Sequence, residues 1–250
     1  MGESVPARVQ LCGRLVVELD GERVEDKLPG RQGRVLFAYL ATNRLRPIAR
    51  DDLVEALWPG EVPAGAEASL SALLSKLRRA LGADRLEGRA TLQLQLPAGT
   101  VIDLEAASEA LHRAESGLAQ ADWAGAWATA RVPLHVAPRR FLPGEDAPWI
   151  EDVRRQLEKM YVRSLEITAE ASLALGGTEI DTAERSARSL VRVAPYRETG
   201  YRYLMRTLDL RGNRAEALRV YEELRRLLRT ELGAAPAGAT QDLHRTLLGV

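Results

Sequence analysis

Three cationic side chains lie close together in the stretch Glu67–Gly82, and their chemistry suits a polyanion. Lys76, Arg78 and Arg79 follow a stretch, Ala68–Ser75, that contains only alanine, serine and leucine. Lysine and arginine donate hydrogen bonds to phosphate oxygens and to the O6 and N7 acceptors of guanine in the major groove. From Ala68 to Arg89 the sequence has five basic residues against two acidic ones. These types and this spacing predict a local nucleic-acid-binding surface.

The charge of the whole chain does not point the same way. The 250 residues contain 35 Lys and Arg against 35 Asp and Glu, so the formal net charge is zero. A strongly basic balance is the usual electrostatic signature of a nucleic-acid-binding domain, and its absence counts against a strongly basic binder. Any binding to DNA must therefore depend on the local cluster.

Catalytic and metal-binding chemistry has little support. The three histidines, His112, His135 and His244, are scattered without ligand spacing, and the sequence has no glycine-rich phosphate loop and no HExxH motif. The single cysteine, Cys12, excludes an intrachain disulfide and a cysteine-based zinc site, and we expect it to be a small core residue. We expect no catalytic residue, no metal and no cofactor, and the chain is not predicted to be an enzyme.

The element that must present the cations is an amphipathic helix. Leucines recur at the helical spacing i, i+3, i+4, i+7 and i+11, and they form one aliphatic face: Leu70, Leu73, Leu74, Leu77 and Leu81. The opposite face carries Ser75, Lys76 and Arg79, and Gly82 is placed to end the helix. Taken alone, such a pattern also fits an ordinary surface helix with a solvated charged face.

The order of the neighbouring elements favours a DNA-binding module. Alternating patterns and turn signals predict strands at Arg8–Leu11 and Arg14–Leu19, helices at Arg31–Thr42, Arg50–Leu57 and Glu67–Leu81, a hairpin from Arg85–Glu87 and Leu92–Leu96, and, after a second turn, Val101–Ile102 beside that hairpin. This order is typical of a winged helix-turn-helix preceded by a small sheet. In that geometry the third helix enters the major groove and the hairpin lies on the DNA backbone.

Beyond Asp103 the sequence reads as helical, with one irregular gap expected at Pro133–Pro148. Ala183, Ala187 and Leu190 are matched 34 residues later by Ala217, Tyr221 and Leu224, and 34 residues is the tetratricopeptide period. The alternative is a generic helical bundle. The predicted fold class is an α+β N-terminal winged helix-turn-helix domain, residues 1–102, followed by an all-α tetratricopeptide-like domain, residues 103–250.

Five segments, two in the first half of the chain and three in the second, carry a family resemblance that covers nearly the whole chain. LPGRQGRVLFAYLATNRLRPIARDDLVEALWP and SLSALLSKLRRALG resemble the OmpR-like DNA-binding domain of the SARP family of bacterial antibiotic-regulatory activators. PWIEDVRRQLEKMYVRSLE, YRYLMRTLDLRGNRAEALRVYEELRRLLRTELG and QDLHRTLL resemble the bacterial transcriptional activator domain that follows it in that family. The combination of both halves is far more specific than either piece.

The resemblance implies a transcriptional activator that controls secondary-metabolite biosynthesis genes. It implies binding to direct repeats in double-stranded promoter DNA, recruitment of RNA polymerase, and a homodimer. With no secretion signal or apolar run of membrane-spanning length, we expect a cytoplasmic protein without a membrane partner. The residues expected to contact DNA lie on the third helix, at the start of the second helix and at the hairpin tip: Arg50, Ser69, Ser71, Ser75, Lys76, Arg78, Arg79 and Arg89.

The sequence departs from the family pattern in two places. The start of the third helix is rich in alanine and serine, which have little hydrogen-bonding reach, and Leu92 stands where the family often has an aromatic residue on the wing strand. The start of the third helix, together with the zero net charge of the chain, leaves an alternative function open: a helical-repeat interaction module whose winged domain does not bind DNA.

Overall fold

The computed structural model describes residues 7–249, apart from the side chain of Ala83. The described chain is rich in helices and has two small sheets near its N-terminus. Its contacts divide it into two compact units. Unit 1 comprises the described part of Met1–Ala107 together with Val136–Leu157, and unit 2 comprises Ser108–His135 together with the described part of Glu158–Val250.

Two sheets frame unit 1. Its strands are β1 (Arg8–Gln10), β2 (Val16–Leu19), β3 (Glu22–Arg23), β4 (Ile48–Ala49), β5 (Leu86–Glu87), β6 (Thr91–Leu94) and β7 (Val101–Ile102). The first sheet has the order β3-β2-β1-β7, and the second has the order β4-β6-β5. β1 and β2 are antiparallel, as the sequence predicts, with Val9 opposite Val17.

The last strand of unit 1 differs from the prediction. Val101–Ile102 does not lie beside the hairpin but runs parallel to β1, with Ile102 opposite Val9. The side chains of Ile102 and Val9 are both buried, so this pairing removes two apolar residues from water. The hairpin itself forms from β5 and β6, with Leu86 opposite Leu94.

Three helices complete the first part of unit 1. α1 (Gly30–Thr42), α2 (Arg50–Leu57) and α3 (Ala66–Leu81) begin within one residue of their predicted positions and contact one another. Their shared core consists of fully buried side chains that recur at helical spacing: Leu36, Phe37, Leu40, Leu53, Leu70, Leu74 and Leu77. Cys12 is buried as expected, and that burial raises the pKa of its thiol.

A later part of the chain returns to unit 1. We call residues 136–157 the return segment. Its backbone pairs with the continuation of β1, since the Gly13 N–H donates to the Arg140 carbonyl at 2.9 Å and the Leu142 N–H donates to the Leu11 carbonyl at 3.2 Å. The indole N–H of Trp149 donates to the carbonyl of Ala56 at the end of α2, at 3.1 Å. The contact-based division therefore interleaves the two predicted domains, and the boundary at residue 102 stays a prediction.

A buried arginine holds the return segment in its shape. Arg154 is 8% exposed, and its guanidinium donates to the carbonyls of Phe141, Leu142 and Glu145 at 2.8–3.1 Å. It also donates to the carboxylate of Asp146 at 3.1 Å. A buried cation is stable only when its donors are satisfied, and here the backbone of the loop supplies the acceptors.

The gap predicted at Pro133–Pro148 is shorter than expected. Pro133 lies inside α5 (Trp123–Val136), and α6 (Pro148–Leu175) begins at the last proline of the gap. A proline removes one helical hydrogen bond. The helix nevertheless continues for three residues beyond Pro133 and ends at Val136, which is buried.

Unit 2 contains helices alone among its described residues. Unit 2 takes part of α4 (Asp103–Ala119), nearly all of α5 and most of α6. Its remaining helices are α7 (Ile180–Val193), α8 (Glu198–Leu210), α9 (Arg214–Leu232) and α10 (Gly238–Leu248). α8 packs extensively on both α7 and α9. All six residues of the 34-residue match are buried, which confirms them as packing positions: Ala183, Ala187, Leu190, Ala217, Tyr221 and Leu224.

Candidate nucleic-acid interface

α3 separates an apolar face from a polar one, as its leucine spacing predicts. Leu70, Leu74, Leu77 and Leu81 are at most 5% exposed, whereas Leu73 is half-buried. Gly82 ends the helix with φ +104°, a conformation that favours glycine, and its N–H donates to the Arg78 carbonyl at 2.9 Å. The packing of the leucines fixes which side chains of α3 face solvent.

Two cations of α3 are exposed and unengaged. Over residues 7–249, no hydrogen bond or ion pair joins Lys76 or Arg79 to another side chain or to a backbone carbonyl. Arg79 forms no ion pair with Asp84, an acidic residue shortly after the end of the helix. Ser69 and Ser75 are exposed on the same helix. These four side chains can meet an external ligand without first breaking an internal contact.

Arg78 has a different environment. Its Nε donates to the Leu86 carbonyl at 3.2 Å and its Nη2 donates to the Gly88 carbonyl at 2.7 Å. The side chain is half-buried and joins the end of α3 to the β5–β6 hairpin. This arrangement makes Arg78 a brace between the two elements, whatever contact its remaining N–H groups make.

The hairpin tip depends on one glycine. Gly88 has φ +89°, and a Cβ at this position would lie 1.9 Å from the Thr91 carbonyl oxygen. Arg89 follows it and is exposed at the tip. Leu92, at the position where an aromatic is frequent in the family, is fully buried between strands and opposes Ile48. The replacement of the family's frequent aromatic residue by Leu92 therefore changes the apolar packing of the hairpin and not its exposed surface.

The start of α2 is joined to the start of α3 by an ion pair. Arg50 donates to Glu67 Oε2 from Nε at 3.0 Å and from Nη2 at 2.8 Å, and the same Nη2 donates to Ser71 Oγ at 2.8 Å. The Arg50 side chain is 24% exposed and that of Glu67 is 59% exposed. The structure thus brings two predicted residues, Arg50 and Ser71, together with an acidic residue, Glu67, that residue type and spacing do not single out.

Glu67 could not have been chosen from spacing alone. It lies 17 residues from Arg50 on another helix, so only the packing of α2 on α3 reveals the pair. The only local signal is that an acidic side chain in the first turn of a helix interacts favourably with the helix dipole. This signal predicts helix stability and does not indicate a site.

Other kinds of site find no support in the described part of the chain. Residues 7–249 hold no group of three or more His, Cys, Asp or Glu side chains that could bind a metal ion. None of their helices combines the length and the apolar character needed to span a bilayer.

Comparison with known proteins agrees with the resemblance of both halves. The family model for the bacterial transcriptional activator domain matches residues 102–248. The regulatory protein AfsR of Streptomyces coelicolor is 30% identical over 98% of this chain and 24% of its own length. The regulatory protein DnrI of Streptomyces peucetius is 26% identical over 96% of this chain and 92% of its own length.

A solved structure matches the fold of almost the whole chain. The structure of Mycobacterium tuberculosis EmbR in complex with a low-affinity phosphopeptide covers 97% of this chain with a TM-score of 0.81 and 26% identity. This chain spans 65% of that EmbR chain and about a quarter of AfsR. The family match over 102–248 and these regulators together show that the chain belongs to the SARP family of antibiotic-regulatory transcriptional activators.

Proposed function

We propose that this protein is a DNA-binding transcriptional activator whose unit 1 contains a winged helix-turn-helix. In this assignment α3 enters the major groove, and the β5–β6 hairpin lies along the phosphate backbone. The observation that carries the proposal is the exposure of Lys76 and Arg79 on α3 without an internal partner. The family membership supports the same assignment.

The eight predicted contacts fall into two groups by their surroundings. Ser69, Ser75, Lys76, Arg79 and Arg89 are exposed without a side-chain partner in the described chain and suit direct contact. Arg50, Ser71 and Arg78 already bond within the protein, and they suit a contact that is positioned before DNA arrives. A preorganised side chain loses less conformational entropy on binding than a free one.

Affinity should come mainly from phosphates and should fall with salt. Each phosphate neutralised contributes about −0.9 to the slope of log K against log salt concentration. Electrophoretic mobility shift with promoter fragments at several salt concentrations measures this slope. If a saturating concentration of the protein shifts none of the promoter fragments at low salt, the proposal is contradicted.

We further propose that the protein binds direct repeats as a homodimer and recruits RNA polymerase to secondary-metabolite genes. Light scattering with a DNA that carries one repeat or two gives the number of chains bound. Transcription from a promoter with both repeats, by purified polymerase, tests activation. Equal transcript with and without the protein would exclude the activator role even if DNA binds.

The second candidate is a helical-repeat interaction module. The engagement of Arg50 and Arg78 inside the protein favours it, because it lowers the number of free cations on the predicted surface. The zero net charge of the chain acts in the same direction. This alternative requires a peptide partner bound by the Glu179–Leu232 surface and no competition from DNA.

A further inference from the structure

From the ion pair between α2 and α3 we infer that Glu67 is a specificity-determining residue that reads an exocyclic amino group, cytosine N4 or adenine N6, in the major groove. The inference rests on the proposed function, since it assumes that α3 enters that groove. It assigns to an acidic residue a role in a surface otherwise defined by cations.

The two carboxylate oxygens of Glu67 are not equivalent. Both nitrogens of Arg50 that reach Glu67 donate to the same atom, Oε2, at 3.0 and 2.8 Å. Oε1 accepts no hydrogen bond from any described residue. Because Arg50 holds one oxygen, the other is a fixed acceptor at the exposed start of α3.

Ser71 adds a donor beside this acceptor. Its hydroxyl oxygen accepts a bond from Arg50 Nη2 at 2.8 Å, so its own proton is free to donate. The first turns of α3 therefore present an acceptor, Glu67 Oε1, and a donor, the Ser71 hydroxyl. Both side chains are held by hydrogen bonds from Arg50 Nη2. Adenine presents the complementary pair, N6–H and N7, and cytosine presents N4–H next to the O6 of its paired guanine.

Charge determines which bases are rejected. Thymine O4 and the O6 and N7 of guanine are acceptors, so a carboxylate facing them is left without a donor. The positive charge of Arg50 offsets the repulsion between Glu67 and nearby phosphates. The ion pair with Arg50 thus allows the Glu67 carboxylate to accept a hydrogen bond from a base although DNA is itself negatively charged.

Selection of bound DNA from a random pool tests this role directly. In the wild-type protein we expect at least one position at which a base pair is strongly preferred over its reversed orientation, because only one orientation presents the amino group of cytosine or adenine to Glu67. Glu67→Ala should reduce the preference at that position by roughly 5- to 100-fold, with the other positions unchanged. Arg50→Ala should weaken the same position, because it releases the carboxylate.

Two further variants separate base reading from charge and folding. Glu61→Ala removes an exposed acidic residue from the loop before α3 and should leave every base preference unchanged. Glu67→Gln keeps the size of the side chain and should move the preference toward adenine, which an amide contacts through N6 and N7 together. Circular dichroism on each variant confirms that the helices are retained.

The possible failures are distinguishable. A wild-type protein that selects no DNA contradicts the proposed function itself. A wild-type site whose base preferences all survive Glu67→Ala, with affinity raised equally for every sequence, contradicts only the role of Glu67 and reduces it to a residue that repels phosphate.

Discussion

At the residue scale, the main distinction is between cations that are free and cations that are engaged. Lys76 and Arg79 are exposed on α3, whereas Arg50 pairs with Glu67 and Arg78 bonds to the hairpin carbonyls. An engaged arginine can still contact DNA, but its loss also changes the protein. The free pair therefore gives the cleanest test of the interface.

Replacing both free cations should weaken DNA binding without changing the fold. We expect Lys76→Ala with Arg79→Ala to lower affinity and to reduce the salt slope by about 1.8, because two phosphates are no longer neutralised. Mobility shift over a salt series measures both effects. The matched control, Lys159→Ala with Arg226→Ala, removes two exposed cations from α6 and α9 and should leave binding unchanged. Equal effects of the two double variants would contradict a role specific to α3.

Sequence reasoning succeeds for residues whose position follows from helical spacing. The leucine stripe predicts which way Lys76 and Arg79 face, and their exposure agrees. Helical spacing does not reveal the surroundings of Arg50 and Arg78, because their partners come from other elements, and their contact with DNA stays a prediction. Glu67 and the carbonyls of Leu86 and Gly88 become neighbours only when α2, α3 and the hairpin pack together.

At the scale of the element, the hairpin is held by apolar pairs and by its turn. Leu92 and Leu94 are buried, and they oppose Ile48 and Leu86 on the two neighbouring strands. Its tip requires Gly88 for two reasons, the positive φ and the close approach of the Thr91 carbonyl. The sequence predicts this turn, but not the clash that makes glycine obligatory.

Gly88→Ala should disrupt the hairpin, whereas Gly99→Ala should be mild. Gly99 also has a positive φ, +78°, but its Cβ would meet no atom within 4 Å. We expect Gly99→Ala to lower the free energy of unfolding by about 1 kcal/mol, the usual cost of a left-handed conformation. The clash at Gly88 should raise the loss to about 3 kcal/mol and should also weaken DNA binding.

Urea unfolding of the two glycine variants gives these free energies, and mobility shift gives the binding. Similar destabilisation by both substitutions would mean that the Thr91 carbonyl moves aside easily, and the turn geometry would then not be the reason for the glycine.

At the scale of the whole molecule, chain order and packing order differ. Unit 1 takes residues 136–157 from the second half of the sequence, and within this unit Trp149 packs edge-on against both Tyr39 of α1 and Phe141. Helical periodicity within each half gives no information about such a return. The sequence therefore predicts the elements of both units closely, but not how the chain is divided between them.

The buried arginine of the return segment provides one test of this division. Arg154→Ala should lower the free energy of unfolding by about 2–5 kcal/mol, because it leaves the carbonyls of Phe141 and Leu142, in two buried residues, without their donor. The adjacent Arg155 is exposed and bonds to Asp152, and its replacement by alanine should change stability by less than about 0.5 kcal/mol. Thermal and urea unfolding measure the difference. Equal, small effects would show that the loop carbonyls find water instead.

A fragment that ends at residue 102 provides the second test. Without the return segment, the Leu11 carbonyl and the Gly13 N–H would lose their partners and Tyr39 would lose its packing against Trp149. Without Asp103, the Leu11 and Cys12 N–H groups would lose their carboxylate acceptor as well. We expect a fragment of residues 1–102 to unfold at a lower urea concentration than a chain of residues 1–157. Amide hydrogen exchange should show the loss first near Leu11. Identical midpoints would mean that neither the return segment nor Asp103 contributes to the stability of unit 1.

The discontinuity of unit 1 also has a consequence for synthesis. The ribosome must add roughly 60 residues after the hairpin strands before Trp149 and Arg154 exist, which takes about 3–12 s at ordinary elongation rates. During that interval α1 and α2 of the nascent chain lack their contacts with Trp149, so part of their apolar surface is exposed. A chaperone that binds exposed apolar surface would have its longest access to this protein while residues 103–157 are being translated.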